Sequence, residues 1–343
     1  MSETKDPRVS GWIKDRFDPR DYYYKAVVPK VIPESVDLSK YLPEIRDQGN
    51  EGACVGFGIA INLSGTAKQQ NTFKEWFGPR WVYNGAKELG HRLDQEGAEP
   101  RYACEFLLNY GCLLEHFWPY VAGKESFKAA TTHPNAPKAK DYPIIEYVRV
   151  VDWPDGICQA LADGYLVSIG IPWYYEWMSP GKTGVLPTPV NLVGGHEICI
   201  CGYDVKNQRF KFANSWTADW GENGYGYLPF KHLNRIKADG GGDAHIIRVK
   251  WGTTNGDSED FPVDRIESVR VLARLEGQEY WQDWLPANPT PDGSLPIYRW
   301  NGQIGNQDTW IEAYAEVTLK PTSALRSFLR IFGLKQVSNG PIR

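Results

Sequence analysis

The spacing of apolar and polar positions changes part-way along this chain. In "PRWVYNGAKELGHRL", residues 79–93, and "EPRYACEFLLNYG", residues 99–111, apolar residues recur at helical intervals among good helix formers. Gly111 stands where a C-terminal cap would close the second helix. A lysine- and proline-rich connector covers residues 123–143, and beyond it the runs shorten. "IIEYVRVV", "YLVSIGI", "HEICICGY", "RFKFANSW" and "GYGYLPF" predict strands, so the first half reads as mostly helical and the second as mostly β. One stretch is ambiguous. From Ala53 to Gln70, residues Val55, Phe57, Ile59, Ile61 and Leu63 alternate as in a strand while Ala60 and Ala67 fill the other side, a pattern that fits a buried helix or a buried strand.

The two ends differ from the middle. Residues 1–40 carry turn signals at "FDPRD" and "VIPESVD" and read as an irregular arm draped over the rest, with residues 1–35 outside the main domain. The main domain is expected over 36–252. After "AHIIRVKWG" a polar break, "TTNGDSED", introduces a C-terminal extension over 255–343 whose runs "ESVRVLARL" and "WIEAYAEVTL" predict strands. Its last part, 317–343, holds Lys320, Arg326, Arg330, Lys335 and Arg343 and no acidic residue, with Leu325, Phe328, Leu329 and Phe332 at helical spacing. That is a basic amphipathic tail, suited to docking on the protein itself or on a membrane or partner. No period of 20–50 residues recurs, which removes solenoids and propellers.

Composition narrows the function. With 343 residues, 42% hydrophobic, 14 Trp and 19 Tyr, there is material for a large core and an aromatic-walled cleft. A formal charge of -4 gives no long-range reason to bind nucleic acid or an anionic membrane. The polar opening has no signal-peptide pattern and no stretch approaches a membrane span, so the expected compartment is the cytosol. The six cysteines therefore predict free thiols rather than a disulfide framework. Neither Cys-x-x-Cys nor His-x-x-x-His occurs and the six histidines are scattered, so no metal site and no cofactor is expected.

Three stretches carry candidate chemistry. "DQGNEGACVGFG", residues 47–58, sets Cys54 ahead of the long apolar run. If a helix starts there, its dipole favours the thiolate and the Cys54 N–H can face an oxyanion. "GGHEICICGYD" holds His196 behind Gly194 and Gly195, which let the backbone pass close to another group. "FANSWTADWGENGYGY" holds Asn214, and a short turn at "DVKN" makes its strand the hairpin partner of the His196 strand. Such pairing brings Asn214 beside His196, where an amide would fix the imidazole's tautomer and Trp216 could shield the bond from water. Taken singly, each of these residues has a bland reading as core thiol, structural histidine or turn asparagine. Cys199 and Cys201 read as small core residues on one face of a strand, and Cys104, Cys112 and Cys158 likewise. The aromatic stretch "PWYYEW", 172–177, either walls a cleft or caps the β-rich part.

Together, "DQGNEGACVGF", "GGHEICICGY" and "NSWTADWGENGYGY" resemble the signature blocks of the papain-like cysteine peptidases, in that family's order Gln, Cys, His, Asn. The resemblance covers about residues 30–250, and "GWIKDRFDPRDYYY" and "GCLLEHFWPY" are similar to variants found in bacteria and viruses. It implies an α+β, two-lobe papain-like fold, a helical lobe and an antiparallel β-barrel-like lobe with the cleft between them, and a central helix over 54–70. It also implies a peptidase whose nucleophile is Cys54, with His196 as general acid and base, Asn214 as its orienter and Gln48 as an oxyanion donor. Glu197, Trp216, Gly170 and Gly195 then line the substrate cleft. The substrate would be a protein or peptide. The alternatives are a catalytically silent binding scaffold of the same fold, or a cell-wall or isopeptide amidase using the same residues.

Three features depart from the resemblance. Glu51 stands where secreted members carry a disulfide cysteine, and Val55 where they carry an aromatic. Glu197 replaces a small residue that helps line a substrate pocket. Its carboxylate either makes that pocket favour a basic side chain or turns into the lobe, where an arginine of this chain would pair with it. No long inhibitory propeptide is expected, since about 45 residues precede Gln48. Restraint would then fall to the arm or to the C-terminal extension.

Overall fold

The computed structural model describes residues 6–18, 21–24, 32–70 and 75–249, and the backbone of three strands at 266–275, 282–287 and 311–319. The basic tail lies outside the described residues from residue 320 onward. Two compact units divide the chain, Met1–Thr253 and Thr254–Arg343.

The ambiguous stretch is a helix. α1 spans Cys54–Gln69 and is buried from Cys54 through Ala67, which removes the polar face that would have betrayed its period. α2, Pro79–Leu89, and α3, Pro100–Tyr110, each open on a proline, which suits a first turn whose N–H groups have no helical partner. Gly111 ends α3 at φ +81°, a conformation that a Cβ would strain. These three helices close around Val55, Phe57, Ile59, Trp81, Phe106 and Leu107 to form the helical lobe.

The second lobe is an antiparallel sheet. β1, Ser35–Asp37, pairs with the long central strand. β2 is Ile144–Arg149, β3 Val167–Tyr174, β4 Leu192–Asp204, β5 Arg209–Ala213, β6 Tyr225–Pro229 and β7 Asp243–Val249. Their order is β2-β7-β3-β4-β5-β6. The helix α4, Asp155–Ala162, contributes Ile157, Ala160 and Leu161 to a core built on Ile169, Ile171, Ile198, Phe210 and Phe212. Trp173 and Trp177 of "PWYYEW" lie fully buried in this core, so the stretch fills the β lobe while Tyr175 is exposed.

α1 lies between the lobes and fastens them. The Asn62 amide donates to the Leu166 carbonyl and to Ser168 Oγ, and the Ser168 hydroxyl donates to the Gly58 carbonyl. Ile61 packs with Leu42, Leu166, Cys199 and Cys201, which are core residues as the alternation along β4 predicts. All six cysteines are free and buried. In the second unit the described strands β8, Ile266–Leu275, β9, Gln282–Ala287, and β10, Ile311–Leu319, form an antiparallel sheet in the order β10-β8-β9.

Candidate active site

Cys54 is the first residue of α1, with Ala53 at the N-cap, so the sulfur stands at the positive end of a helix dipole. The backbone N–H of Glu197 faces that sulfur, which sets it beside the His196–Glu197 peptide of β4. The hairpin read from "DVKN" forms: β4 and β5 pair with Cys199 opposite Ala213, and this brings the side chains of residues 196 and 214 together. His196 Nε2 and Asn214 Oδ1 are 2.7 Å apart.

The neighbours decide the tautomer. Asn214 Oδ1 also accepts from the Ser215 backbone N–H at 2.8 Å, which identifies that atom as the oxygen and His196 Nε2 as the protonated ring nitrogen. Nδ1 is the ring nitrogen turned away from Asn214, and it is buried beneath the arm, where the Arg8 backbone meets the imidazole. The ring packs against Trp173 and Trp216, at centroid distances of 4.7 and 4.6 Å, where these two indoles also meet each other at 5.4 Å. Trp216 thus covers the His–Asn bond.

Gln48 is oriented by the same logic. Its Oε1 accepts from Ser215 Oγ at 2.7 Å and from Trp216 Nε1 at 3.1 Å, so its amino group must point the other way. There Nε2 donates to the Glu51 carbonyl at 2.9 Å and reaches the Arg8 carbonyl at 3.4 Å. The loop between Gln48 and Cys54 is braced from behind by a buried ion pair. Arg80 of α2 donates to both oxygens of Glu51, at 2.5 and 2.7 Å, and both side chains are buried. Tyr120 donates to the Gln48 carbonyl at 2.7 Å and reaches Glu51 Oε2 at 2.9 Å. Burial opposes the charge on Glu51, but the Arg80 guanidinium holds its carboxyl below the usual range.

The cleft is filled by the chain's own arm, which sequence analysis did not place. Residues 7–9 form a single 3-10 turn over the site. Ser10 then bridges Gly195 of the β lobe, and the Gly11 carbonyl and Ile13 N–H exchange hydrogen bonds with Ala98 of the helical lobe, at 2.9 and 3.0 Å. The close approach that Gly194 and Gly195 permit is to this segment: a Cβ on Gly194 would stand 1.9 Å from the Val9 carbonyl. Cys54 and His196 are consequently fully buried. That burial pushes the Cys54 thiol up to about 12 and the His196 imidazole down to about 4, so both groups are neutral beneath the arm. Farther along, Asp15, Asp18 and Asp21 fasten the arm. The Asp15 carboxyl accepts from the Arg101 backbone N–H, Asp18 and Asp21 pair with the Arg101 guanidinium, and Asp21 also meets Arg149.

Gly170 and Gly195 lie under the arm, and Trp216 sits against Gln48 and His196. Glu197 is buried, and among the described residues no arginine or lysine pairs with it and its carboxylate oxygens have no hydrogen-bond partner. The expected pairing with an arginine is therefore absent. Among the described residues no cluster of three His, Cys, Asp or Glu could hold a metal ion, and no helix is long and apolar enough to cross a membrane.

The family model for papain family cysteine protease matches residues 32–239, more than half of the chain. This chain belongs to the papain family of cysteine proteases. It is a hydrolase of the cysteine-peptidase class. The papain-family chain is 28% identical over 264 residues to an uncharacterized peptidase C1-like protein of Acanthamoeba polyphaga mimivirus, covering 68% of this chain and 85% of that one. It is 24% identical to fruit bromelain of Ananas comosus, covering 57% of this chain and 54% of the bromelain. Its fold matches that of xylellain, a cysteine protease from Xylella fastidiosa, with a TM-score of 0.65 at 24% identity, over 73% of this chain and 99% of xylellain. A procathepsin B from Trypanosoma congolense shares the fold at a TM-score of 0.57 and 17% identity, over 72% and 88% of the two chains. Viral and bacterial relatives are what the variant blocks of this papain-family chain predict.

Proposed function

We propose that this papain-family protein cleaves peptide bonds through an acyl-enzyme on Cys54. The observation that carries the reading is the orientation of His196: its Nε2 is held against Asn214 Oδ1, which leaves Nδ1 to serve as the base once the arm, whose Arg8 backbone meets the imidazole, moves aside. In this reading Nδ1 takes the thiol proton, the thiolate attacks the substrate carbonyl, and the imidazolium returns a proton to the leaving amine. The same imidazole then activates the water that releases the acyl group. Gln48 Nε2 and the helix N-terminus at Cys54 supply donors to the oxyanion. Labelling with a peptide epoxide followed by peptide mapping tests it. Modification is expected at Cys54 and at none of the other five cysteines; labelling spread over several thiols would reject the assignment.

The arm belongs to the same reading. With the segment 7–13 seated, no substrate carbonyl can approach Cys54, so the described state is a latent one, and the segment must swing aside for turnover. Gly11 gives a way to force that step. A Cβ there would stand 2.5 Å from Cys54 Sγ and 2.5 Å from the Gly52 carbonyl, so Gly11→Val cannot seat the arm. Returning water to the site lifts the burial penalty on both the thiolate and the imidazolium. The variant is expected to raise turnover of a small fluorogenic peptide several-fold, and to speed alkylation of Cys54 by iodoacetamide at neutral pH about tenfold. Unchanged rates in both assays would mean that the arm is not the cover.

A further inference from the structure

Glu197 is an ionisable side chain of the cleft that the bond-breaking chemistry leaves without a task. It is 1% exposed, and both carboxylate oxygens lack a hydrogen-bond partner. Along β4 residues 195 and 197 face the same way, and in the antiparallel pair Glu197 lies directly opposite Gly170 of β3. Gly170, Gly195 and Glu197 thus share one patch with Pro172, opposite Gly195, and Asp243, opposite Gly170, and within it Glu197 contributes a carboxyl whose oxygens have no hydrogen-bond partner. The Gly58 position on α1 closes its far wall, where a Cβ would stand 2.6 Å from Glu197 Cγ.

The indole of Trp12 fills the space over that patch. A Cβ on Gly170 would stand 2.0 Å from Trp12 Nε1 and 2.5 Å from Glu197 Oε2, and one on Gly195 would stand 2.3 Å from Trp12 Cε3. The fit is one of shape without chemistry, since Trp12 Nε1 is itself buried and without a hydrogen-bond partner. Burial, reinforced by the neighbouring Asp15 and Asp243, pushes the Glu197 carboxyl well above the usual carboxylate range. Arg149 does not relieve it, because its guanidinium is committed to Asp243 at 2.7 Å and to Asp21 at 3.4 Å.

We infer that the space held by Trp12 is a side-chain pocket of the substrate cleft and that Glu197 makes it select lysine or arginine. A basic side chain would lie with its aliphatic stem along Gly170 and Gly195, as the indole does, and carry its cation to the carboxylate. A leucine or phenylalanine would fill the same volume but leave the carboxyl unpaired, as Trp12 leaves it now. This assignment rests on the reading of the cleft as the substrate site of a peptidase.

The test separates binding from cleavage. In the full chain carrying Cys54→Ala and Trp12→Ala, an alanine-based peptide is scanned with Lys, Arg, Leu and Phe at successive positions, and affinities are measured by calorimetry. At one position Lys or Arg is expected to bind about tenfold or more tighter than Leu or Phe, and adding Glu197→Gln is expected to erase that difference. Equal affinities at every position, or a basic preference that survives Glu197→Gln, would overturn the pocket. The comparison is repeated with Gly11→Val in place of Trp12→Ala, so that the answer does not depend on how one variant folds. Cleavage of the same peptides is followed in chains that keep Cys54. A basic preference in binding without any cleavage would reject the peptidase chemistry while supporting the pocket.

Discussion

Cys54→Ala and His196→Ala are each expected to lower kcat on a peptide substrate by about 10⁴ or more. Without the sulfur no acyl-enzyme forms, and without the imidazole the thiol keeps its proton and the leaving amine receives none. Asn214→Ala should do less. It removes the 2.7 Å contact that fixes the proton on Nε2, but Trp173 and Trp216 still pack against the ring, so a measurable residue of activity remains. Gln48→Ala should cost on the order of 10² to 10³ in kcat, as for the loss of one oxyanion donor, with KM little changed. Steady-state kinetics in a Gly11→Val background, with circular dichroism to check the fold, orders the four variants. Full activity in Cys54→Ala would end the assignment of the nucleophile, and an Asn214→Ala chain as dead as His196→Ala would mean that the tryptophans do not hold the ring.

Arg80→Leu is expected to destabilise the first unit by about 3–5 kcal/mol, because it strands a buried carboxylate. In the native protein Glu51 accepts from the two arms of Arg80 and from the backbone N–H of Gly123 at 2.8 Å, with the Tyr120 hydroxyl 2.9 Å away. Taking away the cation leaves the desolvation cost with too little to offset it. Replacing both partners, Glu51→Leu with Arg80→Leu, removes the charge as well and should recover a large part of the loss. Urea unfolding at neutral pH measures both changes. The pH dependence has a definite sign. The Glu51 carboxyl is held below its unfolded value, so its stabilisation is present at neutral pH and is lost as the pH falls through the lowered value. Equal stability of wild type and Arg80→Leu would show that the pair is incidental.

What could be read from the sequence and what could not have physical reasons. Cys54, His196 and Asn214 were legible because each sits in a block whose local pattern is distinctive, and because the turn at "DVKN" specifies which strands pair. Gly111 was legible because a left-handed cap has few residue choices. The period of α1 was hidden, since a helix buried between two lobes has no polar face to mark its turns. The role of "PWYYEW" was equally hidden, because an aromatic run can face a cleft or a core. The departure at Glu51 was visible, but its partner was not: Arg80 opens an ordinary helix, and nothing local says that its side chain turns inward. The arm was legible as a draped segment and as a candidate restraint, but its course through the cleft was not. Ser10, Gly11 and Ile13 engage the lobes mainly through backbone groups, which every sequence carries, so no side-chain pattern announces them.

The way the arm is fastened has a quantitative consequence for latency. Asp15, Asp18 and Asp21 pin the chain just beyond the segment that crosses the cleft, so that segment can leave Cys54 without leaving the protein. Reseating is then unimolecular, and diluting the enzyme does nothing to relieve it. A peptide entering the cleft competes with an occupant present at an effective concentration of roughly millimolar, set by the few residues between the pin and the site. Weak, scarce peptides lose that contest at any enzyme concentration. A substrate that is abundant, or that offers the cleft a second point of attachment, wins it, and the tether thereby acts as a threshold on what is cut.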